Sequence, residues 1–399
     1  MSNHRISSPS LVYHRAGFAA MLAHLADQPL VALDTESDSL FSYYPKVCLI
    51  QVTTYTETYT ESDAAGRTDD NPAVTDYLID PLRYNELDGL RDLLADPQRQ
   101  VILHAAENDI LLLQRAFGFT FPNLFDTQLA ARILGWKRAG LAAILEDQFG
   151  VVSDKRMQRT NWGKRPLTPE QIAYAQMDTH YLPALRARQV AELHARGRWE
   201  EAQEAFAQLS TLDYVARPAN SRDFWQMKET RRVPLAITGV LEALWLWREQ
   251  EAQRQDRPPF KVVSNAALVE LAERRPATLA QLHEVRALSV SEIQRYGSAI
   301  LAALAEGKQR PLPPLPEPTL RPEQILDRPT LERYDALRRW RGDVADARGV
   351  APDIILTNEV LLTIAKQQPR SPEELARIAG LGPWKLRTYG PDLLRIAAR

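Results

Sequence analysis

One cysteine among 399 residues excludes any intramolecular disulfide and any cysteine-based zinc site. That residue, Cys48, stands in the run Val47-Cys48-Leu49-Ile50 and reads as a small core side chain. Long apolar runs are missing as well. No stretch approaches the ~20 residues a membrane-spanning helix needs, and Met1 to Val12 lacks the apolar centre of a signal peptide, so a cytoplasmic location is expected. Charge of one sign is not in excess either: 49 Lys and Arg against 51 Asp and Glu leave a net charge of −2. That balance excludes a protein that coats nucleic acid indiscriminately, because such binding is mostly neutralisation of phosphate. Any nucleic-acid contact has to be local. What the chain does have is length, enough for roughly two to three domains.

The densest signal is Val31-Ala32-Leu33-Asp34-Thr35-Glu36. The short apolar run reads as a buried strand, and at its end Asp34 and Glu36 share a face, because side chains at i and i+2 do. Two adjacent carboxylates repel unless a cation lies between them, and a hard divalent metal suits oxygen donors. Such pairs also occur at strand ends with no role, so this one gains meaning only if further carboxylates join it. Val47 to Thr54 reads as a second strand, Tyr77 to Asp80 as a third closed by Pro81, and Val101 to Leu103 as a fourth. Glu86 to Leu94 has helical spacing. Strands followed by alternating helix and strand indicate an α/β domain with a mixed sheet. Glu57 to Pro72 is polar and acidic and reads as an extended hairpin loop.

Asp109 lies in the first turn of an apolar helix, where a carboxylate also favours the helix dipole. Asn123 to Thr127 reads as a short fifth strand entering a helix that Asp126 would cap. Lys155, Arg156, Arg159, Lys164 and Arg165 then gather around Trp162. Basic side chains with an interleaved aromatic suit a phosphate backbone and a stacked base, although a solvated loop can have the same composition. Thr168-Pro169-Glu170 is a helix start. The helix that follows carries Tyr174 and Asp178 four residues apart, hence on one face. Asp178 has apolar neighbours, among which an unpaired carboxylate is costly.

Taken in order, Leu33-Asp34-Thr35-Glu36, His104-Ala105-Ala106-Glu107-Asn108-Asp109 and Tyr174-Ala175-Gln176-Met177-Asp178 resemble the three motifs of the DEDDy exonuclease superfamily. Within it, about residues 10 to 200 resemble ribonuclease D. The shared stretches are Tyr43-Tyr44-Pro45, Leu49-Ile50-Gln51, Leu78-Ile79-Asp80-Pro81, Asp126-Thr127-Gln128, and Arg159-Thr160-Asn161-Trp162 ahead of Arg165-Pro166-Leu167-Thr168. The resemblance implies a ribonuclease H-like α/β domain with a mixed five-stranded sheet. It implies a 3′→5′ exoribonuclease using two divalent ions, Mg²⁺ or Mn²⁺, held by Asp34, Glu36, Asp109 and Asp178 with Asp34 bridging. Tyr174 would orient the attacking water, and the substrates would be 3′ ends of transfer-RNA precursors and other stable RNAs. Ser37 departs from the pattern, since the family usually carries a bulky aromatic after the D-T-E.

From about Pro234 the pattern is helical and repeats. Trp247-Arg248 recurs as Trp340-Arg341, Ser264-Asn265 as Thr357-Asn358, Pro276 as Pro369 and Tyr296-Gly297 as Tyr389-Gly390, each pair 93 residues apart. A proline-rich stretch, Gln309 to Pro329, separates the copies and reads as a semi-rigid spacer. Each copy resembles the HRDC domain, a small helical bundle, which implies an auxiliary nucleic-acid or protein contact. The second copy shows the glycine turn, Gly380-Leu381-Gly382, with Lys385, Arg387 and Arg395 close by as a candidate phosphate site. The first has Ala287 and Ser289 instead of the glycines.

The expected division is a nuclease domain over residues 1–212, helical domains over 213–308 and 330–399, and a linker over 309–329. A chain ending near Leu212 is expected to trim short single-stranded RNA unaided. Two rival readings remain: a DNA 3′→5′ exonuclease, and a non-catalytic nucleic-acid adaptor. The adaptor should have lost a carboxylate, and all four are present.

Overall fold

The computed structural model describes residues 6–56, 73–153, 155–213, 224–315 and 326–398. The acidic stretch Glu57 to Pro72 and the middle of the proline-rich linker lie outside the described residues. Contacts divide the chain into two compact units: residues 1–36, 47–214 and 320–399 form one, and residues 37–46 and 215–319 the other.

The first unit is built on β1 (Ser10–Val12), β2 (Leu30–Ser37), β3 (Val47–Tyr55), β4 (Val74–Ile79), β5 (Gln100–Leu103) and β6 (Leu124–Asp126), in the order β1-β4-β3-β2-β5-β6. β4 runs parallel to β1 and antiparallel to β3, while β2 and β6 both run parallel to β5. The sheet is mixed, as expected, and among the described residues it has six strands where five were expected. β1 escapes a sequence reading because it is three residues long with one buried side chain, and only its register against Tyr77–Ile79 makes it a strand. β3 is buried along its whole length. A strand covered on both faces shows no alternation, which is why Val47 to Thr54 reads as a continuous run.

Helices cover both faces. α1 (Arg15–Leu25), α2 (Asp88–Leu94) and α3 (Glu107–Phe117) bury Phe18, Met21, Leu90 and Ile110 against Val31, Leu33 and Val101. On the other face α4 (Thr127–Leu134), α5 (Leu141–Phe149), α7 (Leu182–Ala195) and α8 (Trp199–Ser210) close over Leu30, Ala32 and Ile102, while α6 (Pro169–His180) packs on Cys48, Leu49 and Leu78.

The second unit contains the first repeat: α9 (Thr238–Gln255), α10 (Asn265–Arg274), α11 (Leu279–Leu282) and α12 (Val290–Gln309). Residues 37–46, which follow the D-T-E, belong to this unit. There Asp256 accepts from the backbone N–H groups of Tyr43 and Tyr44 at 3.1 Å each, and the Tyr43 hydroxyl donates to Glu249 at 3.0 Å. Trp225 Nε1 donates to the Pro314 carbonyl at 2.8 Å, so the start of the linker lies against this repeat.

The second repeat comprises α13 (Arg328–Arg348), α14 (Pro352–Ile355), α15 (Asn358–Gln367), α16 (Pro372–Leu375) and α17 (Pro383–Ala397). The copies match in detail. Trp247 meets Tyr296 edge-on at 5.8 Å, as Trp340 meets Tyr389 at 5.6 Å. Ser264 and Thr357 cap corresponding helices, and Arg275 and Gln368 end them with φ of 50° and 49°. The second copy packs on the nuclease helices. Val350 and Ile354 join the core beneath α4 and α8. A Cβ at Gly135, whose φ is +80°, would fall 2.4 Å from the Gly349 carbonyl oxygen, so glycine is needed there for two reasons.

Candidate active site

β2 delivers Asp34 and Glu36, and α6 delivers Asp178. These three carboxylates have oxygens within 4.8 Å of one another. Asp109, in the first turn of α3, accepts a hydrogen bond from the Thr35 hydroxyl and adjoins the trio. Burial and the neighbouring carboxylates Asp109, Asp178 and Glu36 hold the Asp34 carboxyl well above the usual range. Burial, then Asp178 and Asp109, push Glu36 up to about 9. Asp178 rises to about 8, mostly by burial and against a hydrogen bond from Tyr174. Asp109 rises to about 6 by burial, against the bond from Thr35. Burial is the first cause of each shift and neighbouring carboxylates add to it, so a hard cation among these oxygens fits the donor set and would offset both.

Two polar constructions hold the ligand-bearing elements. Asp126 caps α4 through the N–H groups of Gln128 and Leu129 at 2.8 and 2.9 Å. It also accepts from the N–H groups of Ala105 and Ala106 at 3.2 and 2.8 Å. One carboxylate therefore ties the start of α4 to the turn ahead of α3, where Ala105 takes a φ of 59°. The cap is the role expected for Asp126; its hold on the second turn is additional. α6 begins with a capping box between Thr168 and Gln171, as Thr168-Pro169-Glu170 suggested in part. Its far end is fastened by Asp76 of β4. Asp76 Oδ2 accepts from Gln176 Nε2 at 2.6 Å and lies 2.8 Å from His180 Nδ1, while Asp76 Oδ1 accepts from the Thr53 hydroxyl at 2.6 Å. All four side chains are buried. Gln176 and His180 flank Asp178, so the network fixes where the ligand stands. Sequence reasoning missed it, because only strand pairing brings Thr53 and Asp76 opposite each other.

Tyr174 lies one turn before Asp178, buried, with its hydroxyl on the Asp178 carboxylate and a hydrogen bond to Gln158. Burial, Asp178 and Glu36 push its phenol far above the ordinary value. It therefore holds its proton. The carboxylates and Tyr174 open on a cavity of about 430 Å³ that His104, Gln128 and Gln158 also line.

The basic tract divides into buried and exposed members. Trp162 is 1% exposed and packs with Leu49, Leu78 and Tyr174. It cannot stack on a base; it backs Tyr174, with ring centroids 6.1 Å apart. Arg165 is also structural, since its guanidinium donates to both oxygens of Asp80 at 2.6 and 2.8 Å and to the Cys48 carbonyl at 2.6 Å. Arg156, Arg159 and Lys164 are exposed. Lys155 and Arg156 stand on the short 3-10 turn Lys155–Arg159.

The candidate phosphate site in the second repeat is also corrected. Glu204 of α8 fills the start of α17, accepting from the N–H groups of Trp384 and Lys385 at 2.5 and 3.4 Å. Arg387 pairs with Glu200 at 2.6 Å. Burial lowers the Lys385 ammonium, with Glu204 and Glu201 opposing. A helix N-terminus with adjacent basic residues attracts any anion, and here the anion is supplied by the nuclease itself.

A 3′-5′ exonuclease family model matches residues 9–193, and an HRDC domain model matches 238–304 and 330–397. Ribonuclease D from Desulfotalea psychrophila is 32% identical over 69% of this chain and 69% of its own length. The protein of that name from Jannaschia sp. is 30% identical over 95% and 92%. Among solved structures, Escherichia coli RNase D, described as an exoribonuclease involved in structured RNA processing, superposes with a TM-score of 0.65 at 23% identity, covering 98% of both chains. A protein from Bifidobacterium adolescentis superposes with a TM-score of 0.79 at 22% identity and the same coverage. These two likenesses speak for the fold; the family use of divalent metal agrees with the carboxylate cluster. On the identity to relatives over most of their length, the chain belongs to the ribonuclease D family of 3′→5′ exoribonucleases.

Proposed function

We propose that Asp34, Glu36, Asp109 and Asp178 would hold two divalent cations, Mg²⁺ or Mn²⁺, and that Tyr174 orients the attacking water. The observation that carries this reading is the meeting of Asp34, Glu36 and Asp178 within 4.8 Å, with Asp109 tied to their strand through Thr35. Bound there, such cations would supply an acidified water and charge to neutralise the leaving 3′ oxygen of an in-line displacement. The residues do the rest. Tyr174, too weak an acid to act as a base, keeps its proton and aligns the water beside Asp178. Asp126 and Asp76 keep α3, α4 and α6 in register with the end of β2. Each turnover releases a nucleoside 5′-monophosphate from an RNA 3′ end.

For substrates, the reading extends to 3′ ends of transfer-RNA precursors and other stable RNAs in the cytoplasm. The description of the Escherichia coli protein as acting in structured RNA processing supports that class. The test is purified protein on 3′-extended transfer RNA, linear RNA and matched DNA, with and without Mg²⁺ or Mn²⁺. Metal-dependent trimming with RNA preferred is expected. Faster degradation of DNA would overturn the substrate assignment, and metal-independent cleavage would overturn the site.

A further inference from the structure

His104 stands at the end of β5 and lines the same cavity as Asp34, Glu36 and Asp178. Its hydrogen bonding determines what it presents. Nδ1 lies 2.9 Å from the Thr127 hydroxyl, and that hydroxyl donates its single proton to the Leu103 carbonyl at 3.1 Å. Toward His104, Thr127 can only accept. Nδ1 therefore carries the ring proton and Nε2 carries a lone pair. Burial lowers this histidine to about 4, which keeps the ring neutral in the physiological range. Among the described residues, no hydrogen bond satisfies Nε2.

An acceptor in a cavity of carboxylates calls for a donor or a cation. The cation is the weaker match, because a hard divalent ion prefers oxygen donors and the neighbouring carboxylates already supply them. A nucleotide at its 3′ end brings few donors that every base shares, and its sugar hydroxyls are the chief ones. We propose that His104 reads the sugar of the terminal nucleotide, with Nε2 accepting a hydrogen bond from a ribose hydroxyl. His104 is then a specificity residue that separates ribose from deoxyribose ends. The proposal rests on the reading that Asp34, Glu36 and Asp178 mark the point of cleavage.

The test compares kcat/KM on three oligonucleotides that differ only in the last sugar: all-ribose, 2′-deoxy and 3′-deoxy. Wild-type protein should prefer the all-ribose end over at least one deoxy end by roughly 10–100-fold, the cost of leaving a polar group unpaired in a partly dried site. His104→Phe should bring that ratio to within a few-fold of one, and the substrate whose penalty vanishes identifies the hydroxyl. Thr127→Val, which removes the partner that sets the tautomer, should reduce the ratio without touching the imidazole. Because each ratio is taken within one preparation, partial unfolding cancels. No wild-type preference for either hydroxyl, or an undiminished ratio in both variants, overturns the proposal. Failure of the wild type to degrade any RNA with Mg²⁺ or Mn²⁺ would instead remove the cleavage site, and the proposal with it.

Discussion

The Glu204 carboxylate accepts a hydrogen bond from the backbone N–H of Trp384 at 2.5 Å, joining a nuclease helix to the first turn of the last helix in the chain. Gly382, the residue before that helix, has no side chain to cap it. Ser289, its equivalent 93 residues earlier, caps its own helix in a capping box with Glu292. The nuclease therefore supplies in the second repeat what the first supplies for itself. A Cβ at Gly382 would fall between 2.2 and 2.6 Å from Glu204, so the glycine permits the approach.

The same face yields a stability prediction. Arg348 pairs with Glu201, whose side chain is 2% exposed. Arg348→Ala leaves a buried carboxylate unpaired and should cost about 3–5 kcal/mol in urea unfolding. A chain ending near Leu212 loses this pair and uncovers the residues beneath Val350 and Ile354. It is now expected to be insoluble or strongly destabilised, in place of the independent nuclease that the sequence suggested. Full solubility with wild-type melting would show that this packing contributes little.

Asp34→Asn and Asp178→Asn should each abolish cleavage while preserving the fold, since the shape is kept and only charge at the cation site is lost. Without metal, both variants should melt higher than wild type, because a repulsion has been removed. Activity above about a tenth of wild type in Asp34→Asn would count heavily against its role.

Tyr174→Phe should lower the single-turnover rate far more than it weakens RNA binding. The phenol is assigned to the water and not to the substrate. Removing it also deprives Asp178 of a hydrogen-bond donor. A variant whose whole defect disappears at saturating enzyme and RNA would refute that role.

Stability of the metal-free protein should fall as pH rises. Glu36 and Asp178 titrate in the folded state at about 9 and about 8, above the ordinary carboxylate value expected once unfolded. Between those limits the folded state holds protons that the unfolded state has released, so the contribution is complete below the unfolded value and is lost as pH climbs through the folded ones. Melting temperature measured with chelator should decline from pH 5 to 9 on this account, and Mg²⁺ or Mn²⁺ should restore it most at the alkaline end. A flat profile with chelator would mean that these carboxylates do not carry the strain assigned to them.

Trp162→Ala should cost about 3–5 kcal/mol, as expected for a large aromatic removed from a packed core. Activity should fall with it, because Tyr174 loses its backing. A variant with normal melting but weakened RNA binding would return Trp162 to the base-stacking role that its setting among arginines suggested.

Much of the site is local and is legible in the sequence alone. The i, i+2 spacing of Asp34 and Glu36 on a strand, and the i, i+4 spacing of Tyr174 and Asp178 on a helix, follow from backbone periodicity alone. The same holds for the caps at Asp126 and Thr168, and for a repeat whose period is constant. Tertiary structure decided the rest, for a physical reason common to each case: charge and aromaticity state what a side chain can do, while burial and partners select what it does. Arg165 and Trp162 share a basic tract with exposed Arg159, yet one clamps Asp80 and the other is interior. Lys385 and Arg387 look like phosphate ligands until the carboxylates of α8 are brought against them. His104 belongs to a recognisable motif, but only the pairing of β5 with β6 sets Thr127 beside its ring and so determines which nitrogen bears the proton.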